Sequence, residues 1–433
     1  MHILIVTNHF WPESFRINDL ALGLKERGHE ISVLTAVPDY PDGKFFKGYG
    51  VFRKNTESYN GISIKRLPII PRGNGSKLRL ALNYVSFALI SCLLAPLLFR
   101  RRYDAILVFE TSPVTVGLPA IVLKKLKSIP ILFWVQDLWP ESLTATRSIN
   151  SPTIIRWIDG LVTFIYRNCD RVLIQSTCFR DSISSHGFDD EKINYFPNSV
   201  EEIFKPVRAD RESAEAALLP EGFIVMFAGN IGTAQSFGTI LEAAIKLKYN
   251  PGIHWVVLGD GRMRRWVESQ IDAHSLHGTF HLLGRFPMES MPNFFALADV
   301  MLVSLSRDPI FSLTIPSKIQ SYLACAKPVI ASLDGEGGRI ISESGAGIAC
   351  PAEDADALAD AVLAMYAMSR GEREAKGEKG RRYCSEHFDR EMLLDRLEGW
   401  LAELIKETKR EDTDPRWRRH AGSSTAQKSA VPP

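Results

Sequence analysis

Phe227-Ala228-Gly229-Asn230-Ile231-Gly232 closes one apolar, β-rich run, and Val257-Leu258-Gly259-Asp260-Gly261 closes the next. A single glycine pair marks no more than a tight turn. Two glycine-rich strand ends in neighbouring runs say more, because glycine lets the backbone approach a ligand closely and turn amides towards an anion. Outward from this pair, apolar runs recur at 224–227, 255–258, 280–283, 300–303, 329–331 and 348–349, with helical patterns between them. An earlier series at 3–7, 31–35, 62–66, 105–109, 131–135, 171–175 and 193–196 has the same rhythm. Most of these runs are apolar on both faces, as strands are when helices cover both sides of a parallel sheet. Two such series predict an α/β chain of two doubly wound, Rossmann-like domains, residues 1–200 and 206–385, facing an interdomain cleft at the carboxyl ends of their strands.

Length agrees, since 433 residues exceed the roughly 250 to 300 at which one core stops growing. A net charge of +2 gives no overall field for nucleic acid, and none is expected as a partner. The six cysteines are scattered without metal-ligand spacing, which reads as reduced thiols in a cytoplasmic compartment. The apolar run at Met1 has no basic leader before it and reads as a first strand. Arg27-Gly28 supplies the basic last turn and left-handed cap of the helix that follows. Residues 386–406 read as a last helix and 407–433 as a disordered tail.

The segment from Leu78 to Phe99 is long and apolar enough to cross a bilayer, and Lys77, Arg79, Arg100, Arg101 and Arg102 flank it. A crossing would split one sheet between compartments, because strands on either side of it belong together. Two readings remain: an apolar helix buried in the first domain, or a helix lying in the headgroup layer with its arginines on anionic phosphates.

Four stretches carry candidate chemistry. In Thr314-Ile315-Pro316-Ser317-Lys318, Thr314 is a candidate cap, Pro316 suits a first turn, and Lys318 sits where the helix dipole is already positive. That placement costs about 0.3 to 1 kcal/mol unless an anion answers it. A diphosphate would reverse the sign, held by free amides, the Ser317 hydroxyl and the Lys318 ammonium. The bland reading is a surface lysine. After the first strand, Ser14 is a candidate cap that would put Arg16 in a first turn, facing either a phosphate or a carboxylate at Glu13 or Asp19. That loop has no G-x-G-x-x-G, which removes the main support for a dinucleotide-dependent dehydrogenase. At the end of the 131–135 run, Asp137 follows Gln136 and would accept a hydrogen bond from a substrate hydroxyl, or else cap a turn. Asp354-Ala355-Asp356 has the letters of a metal-binding D-x-D but reads as an acidic helix start, so no metal is assigned.

Phe10-Trp11-Pro12-Glu13, Arg27-Gly28-His29-Glu30, Val135-Gln136-Asp137-Leu138-Trp139-Pro140-Glu141-Ser142, Pro197-Asn198, Gly229-Asn230-Ile231-Gly232, Gly259-Asp260-Gly261, Pro316-Ser317-Lys318 and Lys327-Pro328-Val329 together resemble glycosyltransferase family 4. The branch they resemble is the fucosamine-transferase-like enzymes of O-antigen, capsule and exopolysaccharide synthesis. The resemblance runs from Met1 to about Leu404 in the family's order. It implies a GT-B fold, a metal-independent retaining transfer with no cofactor, and a nucleotide-sugar donor such as a UDP-linked N-acetylated deoxyhexosamine. It further implies a polyprenyl-diphosphate-linked acceptor, peripheral contact with the inner face of the plasma membrane between Leu78 and Arg102, and a last helix that returns to the first domain. Carried onto this sequence, it makes Asp137 and Lys318 catalytic. Gly229, Asn230, Gly232, Gln235, Gly259, Asp260, Gly261, Pro316, Ser317, Ser321, Glu13, Arg16 and Gln136 become substrate-binding.

The chain departs from the wider family as well. Two glutamates expected in the second domain are Leu313 and Ser321, the phosphate-binding arginine and lysine are Asn230 and Gln235, and the first-domain histidine is Gln136. A nucleotide-sugar epimerase of the same fold, or a non-catalytic scaffold of a polysaccharide assembly complex, are the alternatives.

Overall fold

In the computed structural model, residues 1–98, 102–145 and 151–413 are described. The chain divides into two compact units. The first holds residues up to Ile174, Arg180–Tyr195 and the chain from Leu394; the second holds Gln175–Phe179 and Phe196–Leu393.

The first unit is built on eight strands: β1 (His2–Thr7), β2 (Glu30–Ala36), β3 (Thr56–Tyr59), β4 (Ile62–Leu67), β5 (Ala105–Glu110), β6 (Ile131–Val135), β7 (Arg171–Ile174) and β8 (Ile193–Tyr195). They form one sheet in the order β3-β4-β2-β1-β5-β6-β7-β8, parallel except for β3, which runs antiparallel to β4 at the edge. The sequence pattern missed β3, whose residues alternate between exposed and half-buried. Arg27 caps the helix Arg16–Glu26 and Gly28 follows at φ +87°. Phe15, not Ser14, occupies the N-cap of that helix, without a side-chain cap bond. The neighbouring phenylalanine leaves the first turn to backbone geometry alone, so Ser14 is corrected as a cap.

The second unit carries β9 (Phe223–Ala228), β10 (Ile253–Leu258), β11 (Phe280–Gly284), β12 (Val300–Ser304), β13 (Val329–Ser332) and β14 (Gly347–Cys350), in the order β11-β10-β9-β12-β13-β14. All neighbours are parallel. Alternate residues of β9 feed two cores. Val225 and Phe227 pack with the helices Phe237–Lys246 and Ala355–Ala367 on one face. Ile224 and Met226 pack with Ile319, Tyr322 and Leu323 on the other.

The chain builds outward from β9 to β11 and then restarts on the far side at β12, so the strand order reverses between β9 and β12. These two strands pair only at Val225↔Val300 and Met226↔Met301, and their carboxyl-terminal ends part. A doubly wound sheet binds ligands at such a reversal, where loops on the two sides fold away from each other.

Asp354 caps the helix Ala355–Ala367, accepting the Ala357 amide at 2.9 Å, while Asp356 pairs with Lys246 at 2.6 Å. Asp354-Ala355-Asp356 is therefore a helix start. Asp354→Ala should lower stability by about 1 kcal/mol in denaturant titration, the worth of an N-cap.

The last helix runs Arg390–Thr413, past the expected end at Lys406. From Leu394 it belongs to the first unit, burying Leu397, Leu401 and Leu404 and pairing Glu398 with Arg27 at 2.8 Å. The buried positions end at Ile405, and residues 406–410 continue the helix without a buried side chain. The rest of the expected tail, 414–433, lies outside the described residues, as do Arg100 and Arg101.

Candidate functional site

The site in the second unit grows from the end of β9. Gly229 leaves the strand at φ +145°, in the region that favours glycine. A β-carbon there would collide with the Lys318 side chain. Gly259, at φ +147°, faces the Gly229 carbonyl oxygen so closely that no side chain fits. Gly261 stands against the Ile231 carbonyl in the same way. The two glycine-rich strand ends thus lie backbone to backbone, tied by Gly229 N–H to Leu258 O at 2.8 Å and Ile231 N–H to Asp260 O at 2.9 Å.

Around this clasp lie two hollows. One, of about 670 Å³, is lined by Asn230, Gly232, Gln235, Asp260 and Gly261, together with Arg262 and Arg285. The other, of about 330 Å³, adds Gly229 and Gly259 to an apolar wall of Leu258, Phe286 and Met291. Seven residues singled out in the sequence are thereby brought together. Arg285, Arg262, Phe286 and Met291 were missed. Arg285 and Phe286 follow the third strand end of the same sheet, which has the single Gly284 where the other two have a pair, and Arg262 directly follows Gly261.

Lys318 reaches this clasp from the helix Ser317–Ala324, which lies between β12 and β13 in sequence. Its Nζ stands 3.8 Å from the centroid of the Phe227 ring, a cation–π contact. The helix is pinned there by Tyr322, whose hydroxyl donates to Ala228 O at 3.2 Å and accepts from Ala228 N–H at 3.0 Å. Among the described residues no carboxylate pairs with Lys318, and burial lowers its pKa to about 7. A half-buried ammonium at a helix N-terminus, with no carboxylate beside it among the described residues, is suited to an anion.

Two neighbours differ from expectation. Pro316, not Thr314, precedes this helix as its cap residue; Thr314 instead ends a short helix, Pro309–Leu313, and its hydroxyl donates to Phe311 O at 3.1 Å. Ser321 is buried and its hydroxyl donates to the Ser317 carbonyl at 3.2 Å, which turns it into its own helix rather than towards a ligand. Ser317 is exposed at the helix start.

In the first unit the strand order reverses between β1 and β5. Asp137, just past β6, is half-buried; burial raises its pKa, and Ser112 Oγ donates to its Oδ2 at 2.9 Å. Trp139 Nε1 donates to the same Ser112 hydroxyl at 2.9 Å, which orients it. Glu110, at the end of β5, is wholly buried and accepts from the Ser112 amide at 3.0 Å. Burial, and then the charge of Asp137, push its pKa well up. Gln136 donates its amide to Glu110 O at 2.9 Å. Sequence reasoning missed Glu110, the last residue of β5, and Ser112 just after it, at another strand end without a glycine.

Glu13 is not open to a ligand. Its Oε2 meets His9 Nδ1 at 2.9 Å, and its Oε1 accepts the amides of Asp39 at 2.9 Å and Tyr40 at 2.8 Å. The carboxylate staples two loops, so the expectation of direct substrate contact is corrected to a positioning role. His9, Glu13 and Asp39 bring ligand-type atoms within 4.8 Å of one another, a grouping the sequence spacing did not flag. The cation already beside them is Arg72, which hydrogen-bonds His9 Nε2 and lies 3.7 Å from Asp39. Arg16 is the first residue of its helix.

Two doubly wound parallel-sheet units, the second with an arginine-lined hollow at the ends of β9, β10 and β11, make the GT-B architecture. Family models agree in both halves: a glycosyl transferase 4-like domain matches residues 14–199, and a glycosyl transferases group 1 domain matches 222–368. The chain belongs to the glycosyltransferases that combine these two domains. It is 27% identical over 320 residues to the probable glycosyltransferase WbjE of Pseudomonas aeruginosa, covering 71% of this chain and 77% of that protein. It is 25% identical over 340 residues to the putative colanic acid biosynthesis glycosyl transferase WcaI of Escherichia coli (strain K12), covering 75% of this chain and 81% of that protein. Among solved structures, the fold is shared with sucrose-phosphate synthase of Thermosynechococcus elongatus (TM-score 0.69, 18% identity, 94% of this chain and 99% of that one). It is shared also with Anabaena HepE in complex with UDP (TM-score 0.68, 14% identity, 93% and 100%).

Proposed function

We propose that this enzyme transfers a sugar, an N-acetylated deoxyhexosamine, from a UDP-linked donor to a polyprenyl-diphosphate-linked saccharide during surface polysaccharide synthesis, with retention and without a metal. The observation that carries this reading is the Lys318 ammonium held over Gly229 at the strand reversal of the second unit, with no carboxylate to answer it among the described residues. A diphosphate there meets one half-buried cation and the amides of a helix start. The apolar wall of Phe286, Met291 and Leu258 suits a nucleobase face, and Arg285 and Arg262 suit the phosphates. The relatives' names point the same way: one is assigned to colanic acid synthesis, and a protein of the same fold was crystallised with UDP.

In this reading Lys318 and the helix N-terminus stabilise the charge that grows on the diphosphate as the glycosidic bond breaks. Asp137, its pKa raised by burial, accepts a hydrogen bond from the acceptor hydroxyl. The enzyme works on the cytoplasmic side, peripheral to the plasma membrane, with the region between Leu78 and Arg102 on the lipid.

Purified protein incubated with a panel of nucleotide sugars and lipid-linked acceptors should give transfer from one donor. Conversion of the donor without acceptor would instead favour an epimerase, and no transfer or donor hydrolysis across the panel would contradict the proposal. Asp137→Asn should lower turnover by about 10² to 10⁴-fold, the range for a positioned acid–base group, with donor affinity unchanged by calorimetry.

A further inference from the structure

The helix Lys77–Leu98 is not a buried core helix. Asn83, Phe87, Ser91 and Ala95 form its inner face, but Leu78, Leu82, Val85, Leu89, Leu93 and Leu97 form an outer stripe, with Leu93 72% exposed. It is the one helix among the described residues long and apolar enough to cross a membrane, and 28% of its apolar window is buried. Yet β4 before it and β5 after it lie in one sheet, so it runs alongside the unit.

A second helix repeats the pattern. Pro152–Arg167 buries Val162, Ile165 and Tyr166 and exposes Ile154, Trp157 and Phe164 at helical spacing, Trp157 by 78%. Between the two helices packs a third, Gly117–Lys127, which contacts both. Its end presents an exposed Leu126 beside Lys125, whose Nζ lies 5.7 Å from the Phe164 ring.

We infer that these three helices form a single docking face for an anionic lipid bilayer, with the Trp157 stripe as its second limb. The inference rests on the membrane-peripheral part of the proposed function and adds to it the second contact, on Pro152–Arg167. Charge complementarity selects the occupant. Arg79, Lys125 and Arg156 lie beside the apolar stripes, and Asp159 is the one carboxylate on the three helices. A second copy docked face to face would set cations against cations around an apolar centre, whereas lipid phosphates answer them. Trp157 has the amphipathic ring that settles at headgroup depth, and leucines on a helix lying flat enter the acyl boundary beneath it.

The test is co-sedimentation of the full chain with phosphatidylcholine vesicles and with vesicles containing phosphatidylglycerol. Binding is expected to the anionic vesicles, weakening with salt. Trp157→Glu and Leu89→Glu should each reduce it by about tenfold or more while UDP binding to the second unit is unchanged. Loss with Leu89→Glu but not with Trp157→Glu would overturn the second limb and leave the single-helix contact of the proposed function standing. Equal binding to neutral vesicles would overturn the charge selection. No vesicle binding, with a dimer that Trp157→Glu dissolves, would overturn both and make this face a contact between copies.

Discussion

Lys318→Ala is expected to lower turnover by about 10² to 10³-fold, the effect of removing one preorganised charge stabiliser, without unfolding the protein. The substitution leaves no orphaned partner, because Lys318 answers no carboxylate among the described residues. pH supplies a second readout. In the donor-free protein the pKa of Lys318 is near 7, because burial disfavours the charged form. A bound diphosphate favours the ammonium and raises that value. Binding above pH 7 therefore takes up a proton, and donor affinity should fall by about tenfold per pH unit until the bound-state pKa is reached. Below pH 7 the lysine is already protonated, and affinity should be flat.

Stability of the free protein moves the other way. An unfolded lysine titrates near about 10.4, so between pH 7 and 10 the unfolded chain holds the extra proton and stability rises with pH. Lys318→Met should abolish both dependences, as read by calorimetry in buffers of different ionisation heat and by denaturant titration.

Gly259→Ala should be strongly destabilising, costing about 3 kcal/mol or more. The added β-carbon meets the Gly229 carbonyl at a distance no rotamer relieves, and the backbone at φ +147° resists any L side chain. Because the clasp between the strand ends shapes both hollows, donor affinity should fall even where the variant folds. Gly278→Ala is the control: nothing lies within 4 Å of its β-carbon position, so the same methyl should be nearly neutral. Equal melting temperatures for the two variants would contradict the account of the clasp.

The strands were legible because their burial on both faces leaves an unbroken apolar run, which no amphipathic helix imitates. β3 escaped because an edge strand with exposed residues has no such signature. Helix starts were less legible. Ser14 and Thr314 carry the right hydroxyl for a cap, but capping is decided by where the preceding backbone turns, and a short helix capped by Asp308 uses up the chain before Thr314. The long apolar helix was ambiguous for another reason: it is apolar all round, so its sequence does not say which side the sheet covers.

The second-unit site was legible as glycine pairs and a lysine at a helix start, but their meeting was not, since only the reversal of strand order carries Lys318 to Gly229. Arg285 and Glu110 stayed hidden because a strand end without paired glycines looks like any other turn.

The most direct measurement of the central claim is a crystal structure with the intact donor, or a hydrolysis-resistant analogue, chosen from the nucleotide-sugar panel. The diphosphate is expected within hydrogen-bonding distance of Lys318 Nζ, beside Gly229 and the Ser317 amide, with the base against Phe286. A nucleotide bound with its phosphates out of reach of Lys318, or held by the first unit alone, would contradict the account.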